Sequence, residues 1–131
     1  MDQVQSGGVS KGAMWTGRVL SALVVLMMLF SASGKFLLPA GAVTVFEQLG
    51  WSKESALGLG ILEVAVTVLY VIPRTRIVGA ILLTAYLGGA TATHVRINDQ
   101  FIFPVIFGVL AWLGLWLRDV RLRPLMPLTK G

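Results

Sequence analysis

The 131-residue chain contains no cysteine and a single histidine. The first absence excludes disulfides, thiol redox chemistry, CxxC motifs, iron–sulfur ligation and covalent haem attachment within the chain. The second excludes a haem held by two histidines of one chain, and the scattered carboxylates lack metal-ligand spacing, so no metal site is expected. No cofactor is expected within the chain itself, and any electron chemistry requires a partner or a diffusible cofactor. Charge is also scarce: 13% of the residues are Asp, Glu, Lys or Arg, about half the share of an ordinary soluble domain. With 56% of residues hydrophobic, a soluble domain of this length would carry more apolar side chain than it could enclose.

The charge that is present leans one way, with eleven Lys and Arg against six Asp and Glu and a net +5. In a soluble domain that excess points to nucleic acid. Here the basic residues sit at the ends of apolar runs without interleaved aromatics, so no nucleic-acid partner is expected. The chain has no P-loop, dinucleotide fingerprint, nucleophile elbow or EF-hand, and Gly58-Leu59-Gly60 reads as helix packing rather than a phosphate loop. No catalytic residue is assigned.

What the chain does have is four apolar runs, predicted to span a bilayer at about 14–33, 55–72, 77–95 and 101–117; four helices of about 20 residues fit the length. Trp15 and Arg18 open the first run, Pro73 and Arg74-Thr75-Arg76 close the second, Arg96 closes the third, and Pro104 sits in the first turn of the fourth. Residues 1–13 read as a disordered cytoplasmic leader and 118–131 as a basic cytoplasmic tail around the membrane domain 14–117. After Pro39, residues Ala42, Val45, Phe46 and Leu49 follow an i, i+3, i+4, i+7 pattern, predicting a short interfacial helix closed by Gly50. The expected fold is therefore all-α, an integral membrane four-helix bundle with a short interfacial helix between the first and second spans.

Orientation follows from the basic residues. Lys11, Arg18, Arg74, Arg76, Arg118, Arg121, Arg123 and Lys130 fall on one side, Lys35, Lys53 and Arg96 on the other. Both termini are expected in the cytoplasm, with the protein multi-pass in the cell membrane and the lipid bilayer as its surroundings. The first run also resembles a signal peptide, but Ser31 and Ser33 can bond to carbonyls of their own helix, and the span is expected to stay attached. Small residues at Ala85, Gly89 and Ala92 and at Gly108, Ala111 and Gly114 are expected to form close helix seams.

Glu63 is the most informative residue, since a carboxylate within an apolar span needs a partner or a proton. Ala56, Gly60, Glu63, Thr67 and Tyr70 share one small and polar helix face, which should point inward. Lys35, His94 and Arg96 fall toward the same outer half of the membrane, so Lys35, Glu63, His94 and Arg96 form the candidate functional cluster, with Thr67, Tyr70 and Thr91 as secondary candidates.

The segments Ser33-Gly34-Lys35-Phe36, Gly60-Ile61-Leu62-Glu63 with its Pro73-Arg74 stop, and above all Gly88-Gly89-Ala90-Thr91-Ala92-Thr93-His94-Val95-Arg96 resemble the DoxX-like family of small four-helix membrane proteins. By position Lys35, Glu63, His94 and Arg96 match recurrent polar positions of that family. The resemblance implies a four-helix membrane bundle, and the family's name, from a subunit of a thiosulfate:quinone oxidoreductase, implies a redox association. Distant relatives look like membrane cargo receptors or receptor-assembly factors. The favoured expectation is a non-catalytic membrane module or subunit that binds a partner or an apolar ligand, with homo-oligomers left open. The alternative is a membrane subunit serving a membrane or soluble oxidoreductase partner, with a quinone as cofactor and Glu63 and His94 handling protons. A proton-coupled small-solute transporter is the weaker third expectation.

Overall fold

A computed structural model describes residues 8–52 and 54–128. Every regular element among the described residues is helical: α1 (Lys11–Leu37), α2 (Ala40–Gln48), α3 (Ser55–Val71), α4 (Arg76–Arg96), α5 (Ile102–Arg118) and a 3-10 turn at Val120–Leu122. By length and composition α1 and α4 can cross a membrane, while α3 and α5 are apolar helices of 17 residues each. At 1.5 Å per residue the shorter pair each extend about 26 Å.

The helix boundaries have local causes. Ser10 Oγ accepts the backbone N–H of Ala13 at 3.1 Å, an N-cap that starts α1 at Lys11. The last three residues of the expected leader are thus helical, and its first seven lie outside the described residues. At the other end α1 runs past Ser33, because Gly34 to Leu37 contains no helix breaker until Pro39. The chain turns at Leu38, whose φ of 43° is left-handed, and Pro39 precedes the first residue of α2. Gly50, with φ 84°, follows α2, a conformation that glycine adopts without steric cost. Pro73 forces Ile72 into extended backbone (φ −70°, ψ 124°) and so ends α3.

By internal contacts the chain divides into two units, residues 25–108 and residues 1–24 with 109–131. In the first, α3 packs on α4 at Gly79, where a Cβ atom would collide with the backbone of Leu69 and Tyr70. Val66, Tyr70, Ala80 and Leu83 are buried in this unit, whereas Leu26, Phe30, Leu57, Ile61, Val78 and Ile81 are more than half exposed. Large apolar groups facing outward over a buried Glu63 and Thr67 reverse the usual distribution of a soluble core.

In the second unit Gly17 and Ser21 of α1 meet Gly114 of α5, at whose Cβ position the Ser21 hydroxyl already lies. Arg118 donates to Ser21 Oγ at 3.1 Å. The expected basic tail begins with Arg118 still in α5 and then folds: Asp119, 4% exposed, accepts from the backbone N–H of Arg121 and from its guanidinium. Trp116 Nε1 donates to the Met126 carbonyl at 3.0 Å. Of the small residues expected to form the α5 seam, Gly114 makes a close contact and Ala111 is buried, whereas a Cβ on Gly108 would meet only Leu87 at 3.9 Å. Those of α4 form no seam, since Ala85, Gly89 and Ala92 are exposed and a Cβ on Gly89 would meet nothing within 4 Å. Small side chains at Ala85 and Gly89 leave room for a cavity instead of seating a helix.

Candidate functional site

Ala56, Gly60, Glu63, Thr67 and Tyr70 are all buried, so the small and polar face of α3 does point inward. Gly60 helps this happen, because a Cβ there would lie only 3.2 Å from the ring of Phe36 and 3.3 Å from Cβ of Lys35. That close approach delivers Lys35 to Glu63: Nζ donates to Oε1 at 2.8 Å, with the side chains 14% and 1% exposed. Lys35 Nζ also donates to Ser31 Oγ at 2.8 Å, one turn back on α1. Of the two serines expected to bond carbonyls of their own helix, Ser33 does so, donating to Phe30 at 2.6 Å, while Ser31 accepts from the ammonium.

Sequence reasoning missed Tyr86. Its hydroxyl donates to the same Glu63 Oε1 at 3.1 Å, and Lys35 Nζ lies 5.9 Å from its ring centroid. A signal was available: Tyr86, Gly89, Ala90, Thr93 and His94 repeat at i, i+3, i+4, i+7, i+8 and line one face of α4. Both protein donors converge on Oε1, and Oε2 accepts no hydrogen bond among the described residues.

The carboxylate lies in the wall of a cavity of about 510 Å³ within the 25–108 unit. Met27 and Met28 of α1, Phe46 of α2, Leu62 of α3, and Phe103 and Phe107 of α5 supply much of its apolar surface. Ser31, Lys35, Glu63, Tyr86, Thr93 and His94 are its polar members.

The other expected members divide. His94 lines the cavity, with Nδ1 3.1 Å from Asp99 Oδ2. Asp99 is exposed, and its carboxyl is held below the usual range first by the backbone N–H of Gln100 and then by His94. Arg96 does not join the carboxylate; its guanidinium donates to the Leu49 carbonyl and lies against Gly50. Residues i and i+2 on a helix differ by about 200° in azimuth, so His94 and Arg96 leave α4 on nearly opposite faces. Thr67 and Thr91 return their hydroxyls to the carbonyls of Glu63 and Leu87 in their own helices, at 2.7 and 2.8 Å. Tyr70 is 1% exposed and packs at the Gly79 crossing. These three residues shape the helices that carry the site. Among the described residues no group of three His, Asp or Glu side chains could hold a metal ion.

Chemically, the site pairs a fixed cation and anion beside a carboxylate oxygen that accepts no bond among the described residues, in the wall of a mostly apolar, half-open cavity. No curated protein and no solved structure gives a significant match to the chain. The model of the DoxX-like family matches residues 19–114, a stretch that includes every lining residue of the cavity. The chain belongs to the DoxX-like family.

Proposed function

We propose that the protein is a multi-pass membrane module of four spanning helices, α1, α3, α4 and α5, whose cavity binds an apolar small molecule at the Lys35–Glu63 pair. One observation carries the reading: a charged pair of which one member is 1% exposed sits in the wall of an apolar cavity of about 510 Å³. That volume is in the range of small-molecule sites, which combine apolar walls with a few fixed polar groups. Family membership and the outward-facing apolar side chains support residence in a membrane. The distribution of basic residues supports cytoplasmic termini.

The test uses the full chain in nanodiscs and a neutral solvatochromic naphthalene dye. Saturable binding above that of empty nanodiscs is expected for the wild type. It should be lost in Gly89→Phe, whose side chain enters the cavity from an open position. Dye binding that is absent, or unchanged by the filled cavity, rejects the reading.

The second reading, a quinone-using membrane subunit that works with an oxidoreductase partner, draws support from the aromatic wall of Phe46, Phe103 and Phe107 and from His94 in the same wall. A quinone that co-purifies with the wild type and is lost in Gly89→Phe would favour it over a purely structural module.

A further inference from the structure

Charge balance and hydrogen-bond inventory narrow the kind of ligand this cavity accepts. Lys35 and Glu63 are opposite charges 2.8 Å apart, so together they present no net charge to the chamber. His94, the remaining wall residue able to carry a charge, has Asp99 beside its ring. A carboxylate entering the chamber would face Glu63, and an ammonium would face Lys35, with no unpaired counter-charge for either. An uncompensated charge in an apolar enclosure is strongly unfavourable.

Hydrogen bonding adds the second restriction. Lys35 Nζ already donates to Ser31 and Glu63, and the Tyr86 hydroxyl donates to Glu63. The acceptor left open beside them is Glu63 Oε2. The ammonium has three hydrogens and donates two, so a ligand that can only accept could take the third but would leave Oε2 unserved, whereas a hydroxyl can donate to Oε2 and accept that third N–H together.

Resting on the reading of this cavity as a ligand site, we propose that its ligand is an uncharged amphiphile of the alcohol or phenol class, whose hydroxyl donates to Glu63 Oε2. Its apolar body lies against Met27, Met28, Phe46, Phe103 and Phe107. Thioether and aromatic side chains adapt to such a body without fixing its exact shape.

The experiment displaces the naphthalene dye from the wild-type protein in zwitterionic nanodiscs with four probes of one chain length: 1-decanol, decanoate, decylammonium and decyl methyl ether. Concentrations are taken as those in the bilayer. Decanol is expected to displace the dye at least tenfold more effectively than each of the others. Equal or better displacement by decanoate or decylammonium overturns the charge argument, and equal displacement by the ether overturns the donor argument. Glu63→Gln leaves the Lys35 charge unbalanced and should raise the rank of decanoate relative to decanol at least tenfold. Lys35→Met should do the same for decylammonium. The wild-type ranking alone decides the proposal if either variant fails to fold. A dye that never binds the wild type rejects the site itself, while binding with the wrong selectivity rejects only this ligand class.

Discussion

Lys35 of α1 and Glu63 of α3 are 28 positions apart in the chain and meet at 2.8 Å inside it. The pair is unequal: Lys35 keeps 14% of its side chain exposed, Glu63 only 1%. A lysine that loses its partner can redirect its long side chain toward a polar boundary, which a short buried carboxylate cannot do. Lys35→Met should therefore destabilise by about 3 kcal/mol, in the range for orphaning a buried charge. Glu63→Gln, which retains hydrogen-bonding capacity, should cost about 1 kcal/mol. Melting in detergent checks the order, and a Glu63→Gln protein less stable than Lys35→Met would contradict it.

Tyr86→Phe removes one hydrogen bond to a carboxylate and keeps the ring beside Lys35. The expected loss is about 1.5 kcal/mol. Full wild-type stability in Tyr86→Phe would show that the hydroxyl does not support the pair.

Two glycines of α4 should respond in opposite directions. At Gly79 a methyl group would collide with the Leu69–Tyr70 backbone, so Gly79→Ala should destabilise by about 2 kcal/mol through forced separation of α3 and α4. At Gly88 nothing lies within 4 Å. Gly88→Ala should be neutral or stabilising by about 0.5 kcal/mol, through helix propensity. Melting temperatures moving in the same direction by similar amounts would refute the crossing at Gly79.

Topology is read with single cysteines in the cysteine-free chain. Cysteine at Asn98, in the exposed turn after α4, should react with a membrane-impermeant maleimide in intact cells. Cysteines at Ser10 and Leu128 should react only after permeabilisation. The reverse pattern would invert the orientation.

The Asp99 carboxyl titrates below its usual range in the folded chain, so it contributes stability above the ordinary carboxylate pKa. That contribution falls away as the pH drops through the lower, folded value. Asp99 is about half exposed, and solvent screening keeps the effect small. Wild type should melt slightly above Asp99→Asn near neutrality, with the gap closing in acid; a gap that widens in acid would have the wrong sign.

The α3 face was legible because a single carboxylate in an apolar run sits in register with Ala56, Gly60, Thr67 and Tyr70, and helical periodicity carries that register without tertiary information. The partner Lys35 was legible from depth alone. Tyr86 was not, because a tyrosine at the head of a run of small residues is ordinary composition until the face through Gly89, Ala90, Thr93 and His94 is drawn. Arg96 shares the expected depth of the cluster but not its direction, because depth along a helix does not fix azimuth, and its guanidinium turns to the Leu49 carbonyl. The helical extension to Leu37 escaped because the breaker is Pro39, not the serines and glycine before it. The folded segment after Arg118 depends on a buried aspartate, and an isolated aspartate in a basic tail does not announce its burial.

Lys35 bonds Ser31 one turn back on its own helix, and this bears on biogenesis. The chain emerges from its N-terminus, so α1 is made before α3, and the ammonium has a local neighbour before its carboxylate exists. In the proposed topology α3 then follows, Glu63 enters next to a cation already held in place, and its insertion would draw on a segment made 28 residues earlier. Transplanting α3 alone into another membrane protein would separate it from that helper. Its own apolar residues would then have to carry the carboxylate into the lipid unaided.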